Sequence, residues 1–163
     1  MAEILKIDNN LSDEEKYFLL SRQITSLINR EDNFISNLAN VTAALKQTFA
    51  KISWVGFYLY DGEKLYLGPF QGKVACTKIE IGKGVCGKAA ELKETLIVPD
   101  VHKFPGHIFC DPDSMSEIVV PLIKSNKLIG VLDIDSINLN SFNEKDKIYL
   151  EQICNFITEE IFT

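Results

Sequence analysis

The order of elements predicts an α+β fold in which one antiparallel sheet carries the N- and C-terminal helices on one face and is covered on the other by the central stretch of the chain. Three observations predict it. Helix-period segments occupy both ends of the 163-residue chain, period-two segments fill the middle, and the strand segments split into one wholly apolar parity and one mixed parity. Such a sheet needs a covering layer on each side, and the terminal helices supply only one of them.

Residues 1–10 are polar and mixed and read as a flexible arm. Ser12-Asp13-Glu14-Glu15 has the capping-box pattern, with Tyr17, Leu20, Ile24, Leu27 and Ile28 following at helical spacing. A second helix is expected from Glu31 to Thr48, with Phe34, Leu38, Val41 and Leu45 on one stripe. Ile52 to Tyr60 alternates as a strand. Asp61-Gly62 signals a hairpin turn and an antiparallel return over Lys64 to Phe70, broken at Gly68-Pro69. Gly82-Lys83-Gly84 precedes a short helix, Val85 to Leu92, and Thr95 to Val98 is a short strand closed by Pro99. Asp100 to Ser116 has no period, and a loop of that length in a compact domain is usually functional or disordered. Glu117 to Ile123 and Lys127 to Ile134 form a hairpin around Ser125-Asn126. Ser141 to Glu144 repeats the capping-box pattern before the last helix.

Parity turns this outline into a site. Val55, Phe57, Leu59, Ile118, Val120, Leu122, Leu128, Leu132 and Ile134 share the apolar parity and should face the terminal helices. Trp54, Tyr58, Glu117, Asp133 and Asp135 then share the opposite face, beneath the stretch Val74 to Glu117. That stretch holds Cys76, Cys86 and Cys110 and both histidines. Two aromatics and three carboxylates beside three thiols make a pocket.

Composition narrows the class. The chain is long enough for one domain spanning 1–163 without disulfide staples. A net charge of −6 argues against a nucleic-acid partner. There is no signal-peptide pattern and no apolar run of bilayer length, so the protein is expected to be cytoplasmic. Thiols there stay reduced unless they do redox or metal chemistry. Cys154 lies in the apolar stripe of the last helix and reads as an inert core thiol. Cys86 stands at a helix start, where the dipole would lower its pKa. Cys110 lies in the long loop before Asp111. The run His102-x4-His107-x2-Cys110 could ligate a metal, but it lacks the paired Cys-x2-Cys spacing of structural zinc sites, and the two histidines read as loop-ordering residues. Gly82-x-Gly84-x-x-Gly87 lacks the context of a dinucleotide fold. What it offers is backbone N–H groups near a helix start, suited to a small carboxylate.

The runs Trp54-Val55-Gly56-Phe57-Tyr58, Gly68-Pro69-Phe70-Gln71-Gly72, Ile81-Gly82-Lys83-Gly84-Val85-Cys86-Gly87 and Asp100-Val101-His102 resemble GAF-domain free methionine-(R)-sulfoxide reductases. So do Phe104-Pro105-Gly106-His107-Ile108, Cys110-Asp111, Ser116-Glu117-Ile118-Val119 and Gly130-Val131-Leu132-Asp133-Ile134-Asp135-Ser136, and the spacing Cys76-x9-Cys86-x23-Cys110 is the most specific feature. The resemblance covers nearly the whole chain and is poorest in the first two helices.

The resemblance implies a GAF fold, reduction of free methionine (R)-sulfoxide by cysteine chemistry through sulfenic acid and disulfide, thioredoxin as reductant, and dimers. No cofactor or metal is called for. It makes Cys110 the nucleophile and Cys76 the resolving partner, with Cys86 a rival for either role. Glu117 and Asp135 are expected near the sulfoxide oxygen. Asp133 would aid placement or hold the substrate ammonium, and Trp54 and Tyr58 would pack on the S-methyl group and thioether. The alternatives are a non-catalytic GAF sensor domain binding a small ligand, and a zinc-stabilised interaction domain.

Overall fold

Residues 4–108 and 110–162 are described by a computed structural model. The first helix, α1 (Asp13–Leu27), starts where its sequence says it should. The Glu15 N–H donates to Ser12 Oγ, and Glu15 Oε2 accepts the Ser12 N–H at 2.8 Å, so two otherwise orphaned donors are satisfied reciprocally. Residues 4–10 adopt neither helix nor strand, yet they are tied down. The Lys6 N–H donates to Gln23 Oε1 (2.6 Å), Gln23 Nε2 donates to the Lys6 carbonyl (3.1 Å), and Leu5 packs against the core. The expected arm over 1–10 is thus fastened from residue 4, and residues 1–3 lie outside the described residues.

The second helix, α2 (Phe34–Thr48), begins three residues later than expected because Asn33, not Glu31, accepts the free N–H of Ile35. Strand β1 (Trp54–Tyr60) pairs with β2 (Lys64–Gln71), and β2 pairs with a short β3 (Lys78–Glu80). Then come α3 (Gly84–Leu92), β4 (Leu96–Val98), a 3-10 turn at Val101–Lys103, the hairpin β5 (Ser116–Lys124) and β6 (Lys127–Ser136), and α4 (Glu144–Ile161). The six strands form one antiparallel sheet in the order β3-β2-β1-β6-β5-β4. Helix α4 is capped by Asn143 with Asp146 answering, two residues beyond the expected Ser141. Ser141 instead donates to Ser136 Oγ at 2.8 Å.

The two faces divide as the parity requires. Val55, Phe57, Ile118, Val120, Leu122, Leu132 and Ile134 are buried with Tyr17, Leu20, Leu38, Val41, Leu45, Leu150, Ile153 and Ile157 of α1, α2 and α4. Trp54, Tyr58, Val119 and Val131 belong to a second apolar cluster with Val85, Cys86 and Ala89 of α3. Leu128 is the exception. Leu122 pairs with Gly130 but Ile123 pairs with Leu128, so Ile129 is an extra residue that flips the parity beyond it. Leu128 therefore packs on the pocket-side cluster, and Ile129 faces the helices. The turn itself, Ser125-Asn126, has both residues at positive φ (48° and 64°), as a two-residue hairpin loop demands.

Beneath the helices, the Asp146 carboxyl is 2% exposed. It is compensated there by Lys51 Nζ at 2.7 Å and by the Tyr17 hydroxyl, which donates at 2.8 Å.

Candidate active site

Cross-strand register sets the floor of the pocket. Asp135 lies opposite Trp54 on one side and Glu117 on the other, and Glu117 lies opposite Val98, so Val98, Glu117, Asp135 and Trp54 form one row across four strands. The next row on the same face is Leu96, Val119, Asp133 and Gly56. Gly56 is needed because a Cβ there would stand 2.4 Å from the Trp54 ring and 2.6 Å from Phe70 Cβ. The missing side chain lets Trp54 lie flat against Phe70, ring centroids 5.5 Å apart, and Tyr58 completes the aromatic wall 6.1 Å from Trp54.

The roof consists of α3 and two loop segments. Helix α3 comes close because Gly87 has no Cβ; one would fall 2.2 Å from the Glu80 carbonyl oxygen. The polar tips of the aromatic wall hold the first loop. Trp54 Nε1 donates to the Lys73 carbonyl (2.9 Å) and the Tyr58 hydroxyl to the Cys76 carbonyl (3.0 Å). Lys73 Nζ pairs with Asp111 (3.3 Å) and Asp113 of the second loop. Cys76 and Cys110 join the two covalently, S–S 2.02 Å across 34 residues of chain. Ser114 Oγ donates to Asp135 Oδ1 at 2.5 Å, tying the second loop to the floor.

Together, Trp54, Tyr58, Cys86, Cys110, Glu117, Asp133 and Asp135 line one pocket, with Lys83, Gly84 and His107. Cys76 stands at its rim through the bond to Cys110. All eight residues singled out from the sequence thus converge. His107 was not among them: it enters with Nε2 3.3 Å from Glu117 Oε2, its imidazole pKa held below the ordinary value by burial. His102 does not enter the pocket; its Nδ1 lies 3.2 Å from Asp100 Oδ1. The His102–His107–Cys110 run therefore does not converge.

The electrostatics are those of crowded, dry acids. Burial pushes the Glu117 carboxyl well above the usual carboxylate range, and the charge of Asp135 pushes it further. Asp133 is raised by burial and then by Glu117. Asp135 is raised by burial and then by Asp133, with the Ser114 hydrogen bond working the other way. Cys86 is a correction to the reading from position alone. Its Sγ is buried and 4.0 Å from Glu117 Oε1, and burial plus the Asp133 and Glu117 charges push the thiol pKa well up, overwhelming any lowering by the short helix. Cys154 is buried among the helix-side residues, as expected, and burial raises its thiol pKa as well.

A curled antiparallel sheet with helices on one face and a lined pocket on the other defines the protein as an α+β domain with a pocket on its sheet. The chain belongs to the GAF-domain family, which matches residues 33–161. It is 57% identical over 158 residues to the GAF domain-containing protein A of Dictyostelium discoideum, covering 96% of this chain and 99% of that protein. It is 43% identical over 166 residues to the free methionine-R-sulfoxide reductase of Saccharomyces cerevisiae, covering 97% and 92%. Among solved structures it resembles the free methionine-R-sulfoxide reductase of Neisseria meningitidis in complex with its substrate, with a TM-score of 0.90 and 42% identity over 96% of this chain and 95% of that one. Among the described residues, no helix is long and apolar enough to cross a membrane.

Proposed function

We propose that the protein reduces free methionine (R)-sulfoxide to methionine, with Cys110 and Cys76 as its redox pair and thioredoxin as the reductant. The observation that carries this reading is the Cys76–Cys110 bond at the rim of a pocket floored by three carboxyls whose pKa values burial and mutual crowding push upward. The names of the yeast and Neisseria relatives support the same substrate.

The proposed cycle starts with the pair reduced. The Cys110 thiolate attacks the sulfoxide sulfur while a floor carboxyl protonates the sulfoxide oxygen. The hydroxyl then passes to the Cys110 sulfur as the substrate S–O bond and the transient bond between the two sulfurs break, so methionine leaves and Cys110 carries a sulfenic acid. The Cys76 thiol attacks that sulfur, the disulfide forms, and water departs. The thioredoxin dithiol then returns both cysteines to thiols and is itself oxidised.

A neutral carboxyl at working pH is what proton donation needs, and the crowding of Glu117 and Asp135 supports them in that role. Asp133 holds the substrate ammonium. Trp54 and Tyr58 pack on the thioether, and the N–H groups at the start of α3 with Lys83 take the carboxylate. Cys86, with its raised pKa, is a poor attacking group and serves as pocket wall. The two roof segments favour a free amino acid over a residue inside a peptide.

The test is thioredoxin-coupled NADPH consumption with each sulfoxide epimer, free and within a peptide. Consumption is expected only with the free R epimer. Turnover of the S epimer alone, or of the peptide, would overturn the reading.

A further inference from the structure

We propose that Cys86, Glu117 and Asp133 form a binding site for a soft divalent cation of the Zn2+ type, seated in the pocket and exclusive of the organic ligand. One donor atom from each of the three side chains lies within 4.8 Å of the others, and the Cys86 Sγ to Glu117 Oε1 distance is already 4.0 Å. A tetrahedral zinc ion with bonds of roughly 2.0–2.3 Å sets its donors roughly 3.3–3.7 Å apart. Side-chain movements of about 1 Å or less therefore close the shell.

A second, independent observation points the same way. Asp133 is 7% exposed, and its Oδ1 is buried without a hydrogen-bond partner among the described residues. A buried carboxyl oxygen left in that state costs free energy that a cation would recover. His107 Nε2 reaches the other oxygen of Glu117 at 3.3 Å, which orients that carboxylate as metal-bound carboxylates are commonly oriented. The three donors come from α3, β5 and β6, so they are set by the sheet and its covering helix rather than by a loop. The donor set also chooses the ion. A thiolate with two carboxylates favours Zn2+ over Mg2+ or Ca2+, which take oxygen alone.

The site shares its walls with the pocket for the amino acid, so cation and ligand cannot occupy it together. That makes zinc an inhibitor of whatever the pocket binds, and the binding itself does not depend on any turnover. The disulfide-oxidised protein is the right material, because the Cys76 and Cys110 sulfurs are then bonded to each other and only Cys86 and Cys154 remain as thiols.

Titration with Zn2+ against a chromophoric chelator is expected to show one ion per chain. Titration with Co2+ should bring up a thiolate-to-cobalt charge-transfer band in the near ultraviolet. Cys86→Ser should abolish the band, and Asp133→Asn should weaken binding at least tenfold, whereas Cys154→Ser and His102→Ala should bind as the parent does. Added Zn2+ should also shield Cys86 from alkylation in the unaltered protein, a readout that holds even if Cys86→Ser folds poorly. Trp54, the one tryptophan, lines the pocket and reports on occupancy by fluorescence, so free methionine sulfoxide should displace Zn2+ in that signal. Undiminished binding in Cys86→Ser, absence of the band, or unaltered alkylation of Cys86 in saturating Zn2+ would overturn the site. Failure of the epimer assay would leave the stoichiometry, the charge-transfer band and the alkylation readout untouched.

Discussion

Opening the bond between Cys76 and Cys110 should destabilise the fold by an amount the chain itself sets. The two residues are 34 apart, and the unfolded chain loses conformational freedom when a loop of that length is closed. The loop-closure relation gives about 4 kcal/mol at 25 °C for a loop of roughly this size. For a domain of this length each kcal/mol corresponds to roughly 2–4 °C in Tm, so the loss should be roughly 8–16 °C. The comparison is thermal unfolding of the air-oxidised protein against the Cys76→Ser/Cys110→Ser double variant in buffer without reductant. Thiol counting before each run confirms the bond, since Cys86 and Cys154 contribute two thiols in both proteins. Coincident melting curves, or a variant that melts higher, would refute the reasoning. The constraint would then not act on the unfolded chain.

Cys110→Ser should abolish thioredoxin-coupled turnover while Cys154→Ser keeps it, because Cys154 stands on the helix side of the sheet; normal turnover in Cys110→Ser would remove the assignment. Gly56→Ala should raise KM for the amino acid and cost about 1–3 kcal/mol in urea unfolding, since the new methyl must displace the Trp54 ring or Phe70. The floor acids make stability depend on pH in a defined direction. Glu117, Asp133 and Asp135 keep protons in the folded state that the unfolded chain releases above about pH 4. Stability conferred by those protons is present at low pH and is lost as pH rises from there through the raised folded values. Glu117→Gln should flatten the fall in unfolding free energy as pH rises above about 4; an unchanged slope would show that the Glu117 pKa is not raised by folding.

Much of this arrangement was legible because a sheet side chain has only two directions to point. Once Val55, Phe57, Ile118, Val120 and Leu132 are assigned to the helices, Trp54, Tyr58, Glu117, Asp133 and Asp135 have one face left. What was not legible depended on departures from that alternation or on loops. Pro69 reads as a strand breaker, yet β2 runs through it. An extra residue sits between Leu67 and Phe70, and β3 stops pairing at Tyr66, so the missing N–H lies at a free edge. Strand β3 itself has one apolar residue, Ile79, between two charged ones and is too short to announce itself. The place of Leu128 was lost to a bulge, and the cap of α4 to a competing serine. Cys86 was legible as a helix-start thiol but not as a dry one, because the burial comes from α3 lying on the acids of β5 and β6. His107 lies in a segment without period, where nothing local foretells which way an imidazole turns.

The acids ride on inner strands, hydrogen-bonded on both sides, whereas Cys76 and Cys110 sit on connecting segments. Placement is thus divided by role. The acids are set by the sheet, and the sulfurs by the segments that cover it. The two segments are also held without sulfur, by Lys73 against Asp111 and Asp113 and by Ser114 against Asp135. The covalent link is therefore a latch on a cover that carries other fastenings as well.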